Sequence, residues 1–352
     1  MTSYWLEEPR ERVPRAKVVL PDVEIVGGGV TGCACALRLA ERGLRVRLHE
    51  AREVAGGASG RNGGFALRGG AMPYDAARAQ LGPDRARMLW EVSERALDRL
   101  GSLAGDAFRR VGSLRLEEDR AELEAEHDAL REDGFAVEWA DGALLHPPDG
   151  SLQPARWVRR LAALAGRAGA EIREGSRVDL DDLEAETVVV ATDGLGGELV
   201  AGIQPTRGQV LVTEALPRLR WPRPHYARHG YDYWQQLPDR RLVLGGRRDA
   251  TLETEWTDEE VVTEPVQRAL DAFLRELAGG ARVTHRWAGI WGTTEDRLPL
   301  VGRLDDRVWV SAGYSGHGNV LGLACGELLA DAILGDRAPL LELFDPLRLQ
   351  AR

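Results

Sequence analysis

Six residues, Gly27-Gly28-Gly29-Val30-Thr31-Gly32, restrict what this chain can fold into more than any other stretch of it. Before them, Val23 to Val26 reads as a short buried strand. After them, Thr31 to Arg42 reads as a helix, with Ala34, Leu37, Leu39 and Ala40 apolar and Gly43 just past its end. Leu44 to Leu48 alternates and leads into His49-Glu50, a second strand. The whole is a strand–helix–strand unit of about 30 residues. Within Gly27-x-Gly29-x-x-Gly32 each glycine has its own physical reason. Gly27 permits the tight turn, Gly29 lets a pyrophosphate approach the backbone, and Gly32 lets helix and strand pack closely. The free N–H groups around Val30 and Thr31, at the positive end of the helix dipole, then face the phosphates. Glu50 stands where a carboxylate can accept hydrogen bonds from two ribose hydroxyls, and it would repel a 2′-phosphate. Ala51 and Arg52 follow it on the cofactor side. The pattern specifies a dinucleotide without separating NAD from FAD. Glu24 interrupts the first strand, and nothing in the sequence accounts for it.

A chain of 352 residues is long enough for two domains. Its 41 glycines follow no fixed period but gather at a few turns, as they do where backbone approaches a ligand. A net charge of −10 argues against a nucleic-acid partner, because phosphate contacts require a basic face. The three cysteines, Cys33, Cys35 and Cys325, are odd in number and form no Cys-x-x-Cys pair, so neither a disulfide framework nor a metal site is expected. A soluble protein of the reducing cytoplasm fits. Met1 to Arg10 has no apolar core of signal-peptide type. No membrane span is expected either, since the most apolar stretch, Val320 to Leu334, carries Glu327 and Asp331.

Further along, Gly56 to Gly64 is too rich in glycine for a helix or a strand interior and reads as a functional loop. Ala76 to Leu103, Ala121 to Glu132 and Trp157 to Ala168 read as helices. Thr187 to Ala191 is a continuous apolar strand suited to the middle of a parallel sheet. Gln209 to Thr213, Tyr231 to Leu237 and Arg241 to Gly245 read as strands of a mixed or antiparallel sheet, followed by a helix over Val266 to Leu277. Arg307 to Ala312 is a strand, then comes a glycine-rich turn, then a helix from Val320 to Leu334. The fold expected is α/β: a Rossmann-like, mostly parallel nucleotide-binding domain interleaved with an α+β substrate domain on a mixed or antiparallel sheet. The nucleotide domain takes residues 20–75, 150–205 and 285–340, and the substrate domain 76–149 and 206–284. Residues 1–19 are an N-terminal extension and 341–352 a C-terminal tail.

Gly56-Gly-Ala-Ser-Gly-Arg-Asn-Gly-Gly64 resembles the flavin loop of the D-amino-acid oxidase superfamily of FAD-dependent oxidoreductases, which includes glycine oxidase, sarcosine oxidase and the gamma-glutamylputrescine oxidase group. Ala58 to Gly64, and the opening Ser3-Tyr4-Trp5-Leu6, look most like the last of these. Val188 to Thr192 is similar to the strand and loop closing over the adenosine side of FAD, and Pro205 to Val210 to the start of the substrate-domain sheet. Trp287-Ala-Gly-Ile-Trp291 with Thr294-x-Asp296-x-x-Pro299 is similar to the return to the FAD domain, and Gly313 to Gly318 to the C-terminal flavin loop. The likeness runs from about Ser3 to Leu334. It implies FAD held at Gly27–Gly32 and Glu50–Arg52. It adds the loop residues Ala58, Ser59, Arg61, Asn62, Gly63 and Gly64, then Val178, Ala191 and Thr192, and finally Gly292, Gly313, Gly316, His317, Gly318, Asn319 and Val320. The backbone N–H groups of Ser315 to Asn319, ahead of a helix, could stabilise the negative charge that develops at the flavin N1–C2=O edge.

The reaction the resemblance implies is oxidation of a C–N bond in an amine or amino acid, by hydride transfer to flavin N5 and imine hydrolysis, with electrons passing to oxygen or another acceptor. Three departures bear on it. Relatives that oxidise glycine or D-amino acids carry an arginine near Trp-Ala-Gly-Ile, and here Trp291 holds that place, so a substrate carboxylate is absent or is held elsewhere, by Arg61 or Arg68. Where sarcosine oxidase has a lysine over the flavin, Arg241 to Gly245 offers Val243, which puts oxygen reactivity in doubt. Where some relatives attach FAD through cysteine, Ala288 stands, so non-covalent FAD is expected. His317 and Trp291 are the candidate catalytic residues, and Trp234, Tyr233 and Trp291 candidate pocket walls, though a histidine in a turn and aromatics on a sheet also serve as plain structural residues. The favoured reading is an amine oxidoreductase near the gamma-glutamylputrescine oxidase group. A D-amino or imino acid dehydrogenase and a non-catalytic flavin-binding subunit are the alternatives, with an NAD dehydrogenase behind them. The oligomeric state is left open.

Overall fold

The computed structural model describes residues 2–10, 13–14, 16–196 and 200–349. Its first sheet has six strands in the order Leu300–Arg303, Val308–Ala312, Thr187–Val190, Val23–Val26, Val46–His49 and Glu171–Arg173. All neighbours run parallel except Leu300–Arg303, an antiparallel edge. Thr187–Val190 and Val23–Val26 lie in the middle, which explains their largely apolar character. The exception, Glu24, is buried and fully occupied. It accepts from the backbone N–H of Glu184 and Ala185 at 2.6 and 2.9 Å, and meets Arg47 and His49 at 3.1 Å each. Arg47 stands opposite Glu24 in register and reaches Glu171 on the next strand at 3.1 Å. The interruption is one rung of a buried charge ladder across three strands.

The helix Val30–Glu41 packs between Pro154–Arg167 and the last long helix, Gly318–Ile333. Gly322 and Gly326 allow the close approach: a methyl at Gly326 would stand 2.9 Å from the Ala34 Cβ. The expected helix over 76–103 is two helices, Tyr74–Leu81 and Pro83–Ala104, because Gly82 turns at φ +84° and Pro83 opens the second.

The second sheet has eight strands in the order Val283–Thr293, Gln204–Ala215, Arg241–Gly246, Asp232–Gln236, His225–Ala227, Ser113–Leu116, Ala143–His146 and Glu138–Ala140. Only His225–Ala227 with Ser113–Leu116 is parallel. Trp287–Trp291, expected to carry the chain back to the nucleotide sheet, runs inside the eleven-residue strand of this second sheet, and the first sheet resumes only at Leu300. Side chains alternate between the two faces. Leu211, Trp234, Leu242 and Leu244 pack under the helix Glu264–Ala278, through Val266, Leu270, Phe273 and Leu274. Val210, Val212, Val243 and Trp287 point the other way, into the main core with Trp5. A small sheet of Phe65–Ala66, Gly150–Leu152 and Phe108–Arg109 lies beside them.

Candidate active site

The glycine turn is held by sterics. Gly27 has φ +115°, and a methyl there would stand 2.5 Å from the Ala191 carbonyl oxygen. One at Gly32 would overlap the Gly27 carbonyl. Gly29 caps the helix with no side chain of its own, and Ser59 Oγ reaches across to accept from the Val30 N–H at 3.1 Å. Glu50 is fixed at the turn, accepting from the Gly28 N–H with Oε2 and from the Arg52 N–H with Oε1, both at 2.8 Å. The Thr31 hydroxyl instead donates to Tyr314 at 2.9 Å, so Thr31 faces the turn with its backbone. Ala51 and Arg52 are exposed, and Arg52 pairs with Glu260 at 3.0 Å. Val178 is half-buried just beyond Ser176, whose N–H donates to the Glu50 carbonyl at 2.8 Å.

The loop Ala58–Gly64 is pinned by its own carbonyls. The Trp5 indole donates to the Asn62 carbonyl and the Trp287 indole to that of Arg61, both at 2.8 Å. Gln235, fully buried, donates to the carbonyls of Gly63 and Gly64 at 2.7 and 2.8 Å. A methyl at Gly63 would press on the Tyr233 ring, and Gly64 turns at φ +77°. The side-chain amides of Asn62 and Asn319 exchange hydrogen bonds at 3.1 Å, and Asn319 also donates to the Phe65 carbonyl at 2.7 Å. This amide pair joins the loop to the start of the last helix, where Val320 is buried.

The C-terminal loop turns at Gly313 and Gly316, with φ +80° and +91°. Its clamp is Asp193, which sequence reasoning missed. Its two oxygens accept from the N–H of Gly313 at 2.8 Å and of Gly292 at 3.0 Å, drawing together the ends of three segments. Burial pushes the Asp193 carboxyl up, against the backbone N–H groups, which favour its ionised form. The signal was there in Thr192-Asp193-Gly194, directly after the buried strand, but its partners lie about 100 residues away. The Thr192 hydroxyl is buried beside it without a hydrogen-bond partner among the described residues.

His317 caps the last helix and opens onto a small cleft of about 90 Å³, partly open to solvent, whose wall includes Arg68, Met72, Arg115, Tyr226 and Arg297. Burial lowers the His317 imidazole to about 4, against the backbone of Ser315, which favours the charged form, so it is neutral; its buried Nδ1 makes no well-formed hydrogen bond among the described residues. Tyr226 stands edge-on to it at 6.1 Å. Neither Tyr226 nor Arg115 was picked from sequence. Trp291 lies over Gly208 and next to Gly316 in the C-terminal loop. Trp234 is not brought here: it stacks on His225 and meets Phe273 on the far face, while its neighbour Tyr233 faces the loop. The two arginines expected to grip a carboxylate are engaged otherwise. Arg61 pairs with Glu260 at 3.1 Å and donates to the Gly56 carbonyl, because it points beneath its own loop. Arg68 lines the cleft but pairs with Glu94 at 2.7 Å, its guanidinium buried.

The turn, with its bare helix terminus, fixed carboxylate and unpartnered buried Thr192 hydroxyl, fits a dinucleotide, and the two pinned glycine loops fit the flat ring system of a flavin. Comparison with known proteins agrees. Residues 22–332 match the family described as FAD dependent oxidoreductase (DAO). The chain is 29% identical to gamma-glutamylputrescine oxidoreductase of Escherichia coli (strain K12), over 90% of this chain and 84% of that protein. It is 28% identical to glycine oxidase of Geobacillus kaustophilus (strain HTA426), over 89% and 92%. The crystal structure of glycine oxidase from Geobacillus kaustophilus shares the fold, with a TM-score of 0.74 and 24% identity over 93% of this chain and 98% of that one. No described helix is long and apolar enough to cross a membrane.

Proposed function

This chain belongs to the DAO family of FAD dependent oxidoreductases, and from that premise we propose that it oxidises the C–N bond of a small-molecule amine or amino acid bound in the cleft beside His317. The observation that carries the reading is that His317 belongs both to the glycine loop suited to a flavin and to the cleft wall. Bound FAD supplies the two-electron acceptor that takes a hydride from the carbon next to nitrogen. Gly27 to Gly32 and Glu50 hold its nucleotide half, while Ala58 to Gly64 and Gly313 to Asn319 hold the ring system. FAD is held without a covalent bond, in keeping with three cysteines that are all buried in helices.

The cleft's own residues prepare the substrate. Oxidation requires a neutral amine, and Arg297, which has no carboxylate partner among the described residues, favours the neutral form of an amine nearby. Neutral His317, on the cleft wall, is placed to hydrogen-bond an amine without adding charge. Trp291 walls the site beside Gly316. Substrates resembling those in the names of the two relatives, a glutamylated amine or glycine, define the range to search. The electron acceptor is oxygen or another carrier, and the buried Val243 favours the latter. The protein is cytoplasmic. The test is an anaerobic absorbance spectrum titrated with a panel of amines and amino acids. Flavin bands bleached by one class support the reading, and the rate at which colour returns in air separates oxidase from dehydrogenase. Bound flavin that no amine bleaches supports a non-catalytic subunit, and protein that takes up no FAD overturns the proposal.

A further inference from the structure

Arg248 is a half-buried cation that meets aromatic rings but no carboxylate among the described residues. It follows the strand Arg241–Gly246 through Arg247, which turns at φ +57°. Its guanidinium carbon lies 4.9 Å from the Tyr231 ring centre, 5.6 Å from that of Trp256 and 5.9 Å from that of Trp291. Its Nη1 is buried without a hydrogen-bond partner, and no carboxylate among the described residues pairs with it. The nearby acids are taken. Asp232 is held by Arg247 at 2.7 Å and by Arg228 at 3.3 Å, Asp249 by Arg228, and Glu255 by Arg207 at 2.8 Å. An arginine cannot shed its proton, and a buried charged N–H without an acceptor is costly. Such a group is retained where an anion comes to it.

Its position says which anion. Trp291, the floor of this cradle, borders Gly316 of the C-terminal loop. The Arg248 charge also reaches Tyr226 and Tyr233: burial pushes both phenols up, and Arg248 acts against that rise. Tyr226 in turn stands beside His317. Arg248 therefore stands across Trp291 from Gly316, the residue before His317.

We propose that Arg248 binds the carboxylate of an amino-acid substrate, so that the enzyme takes amines carrying a carboxylate in preference to bare amines or polyamines. The inference rests on the proposed function for the identity of the ligand, and on the unpartnered guanidinium for the site. The planar fork suits a bidentate carboxylate, and the half-buried Tyr231 and Trp291 rings beside it lower the local polarity, which strengthens the pair.

The test uses FAD-supplemented full-length protein and an inert pair of probes, propionate and propionamide, by titration calorimetry. Wild type should bind propionate roughly 10- to 100-fold more tightly than propionamide, the range for hydrogen bonds to a charged group. R248M should erase that preference with the ratio of FAD to protein unchanged, and R248K, which keeps the charge but not the fork, should fall between. A wild type without preference, or an R248M that keeps it in full, overturns the inference. If R248M does not fold, R248K decides, since an unchanged propionate affinity there overturns the fork. The two readings fail separately. Protein that takes up no FAD defeats the proposed function, while its preference for propionate still decides the anion site; FAD uptake without that preference defeats the anion site alone.

Discussion

At the scale of single residues, the site is made by atoms that meet across great distances in the chain. Asn62 and Asn319 are 257 positions apart, yet their amides close a reciprocal pair that fixes both glycine loops. Removing one partner leaves the other unsatisfied in a partly buried place, which costs about 1–3 kcal/mol. Asn319→Ala is thus expected to weaken FAD binding by roughly tenfold or more, since 1.4 kcal/mol is a factor of ten. Quenching of flavin fluorescence on titration into stripped protein measures it, and an unchanged dissociation constant would show that the pair is dispensable. The glycines of the first turn were legible in the sequence because their reason is local: Gly27 carries a positive φ and Gly32 faces a carbonyl five residues away. Asp193 and Arg248 were not, because an isolated acid or arginine looks like surface until the fold shows what surrounds it. Arg61 and Arg68 show the converse. Their chemistry suited a carboxylate, but Glu260 and Glu94 already answer it.

At the scale of elements, legibility follows period and length. The strand–helix–strand start, the central strand Thr187–Val190 and the last long helix were all readable, since each is a continuous apolar or periodic run. Short strands with neither a continuous apolar run nor a glycine motif beside them, such as Phe65–Ala66 or Ser113–Leu116, carry no signal that sets them apart from a loop. Val283–Thr293 escaped because glycines and threonines dilute its alternation, although its partner Gln204–Ala215 pairs with it along nearly its whole length. The N-terminal turn Tyr4–Glu7 shows how a short element becomes decisive. Trp5 is 1% exposed, meets Trp287 edge-on at 6.4 Å, and spends its indole N–H on the flavin-loop carbonyl of Asn62. Truncating a buried tryptophan to alanine costs about 3–5 kcal/mol. Trp5→Ala should lower stability by that amount in urea unfolding and purify with less than stoichiometric FAD, whereas Trp5→Phe should regain packing but not the hydrogen bond. Full FAD occupancy in both variants would mean that the segment packs on the loop without shaping it.

At the scale of the whole molecule, four stretches spaced along the chain, Gly27–Gly32, Ala58–Gly64, Ala191–Gly194 and Gly313–Asn319, converge on one place between two sheets. Three of them are glycine-rich loops, and ordering them costs conformational entropy that little apolar burial of their own offsets. The side-chain links between them are specific: Ser59 to Val30, Thr31 to Tyr314, Asn62 to Asn319, and Asp193 to Gly313. A ligand lying across all four adds contacts that only the folded chain can make, so its binding energy becomes folding energy. At a free FAD concentration of about 100 times the dissociation constant the gain is about 2.7 kcal/mol. With an unfolding entropy of roughly 2.1 cal/mol/K per residue, a chain of 352 residues should then melt about 4 °C higher than the stripped protein. The same loops should become the segments most protected from hydrogen exchange on FAD addition, while the helix Glu264–Ala278, on the far face of the second sheet, should change little. A melting point that ignores FAD despite a bound flavin spectrum, or protection confined to that far helix, would place the cofactor somewhere other than the junction of these loops.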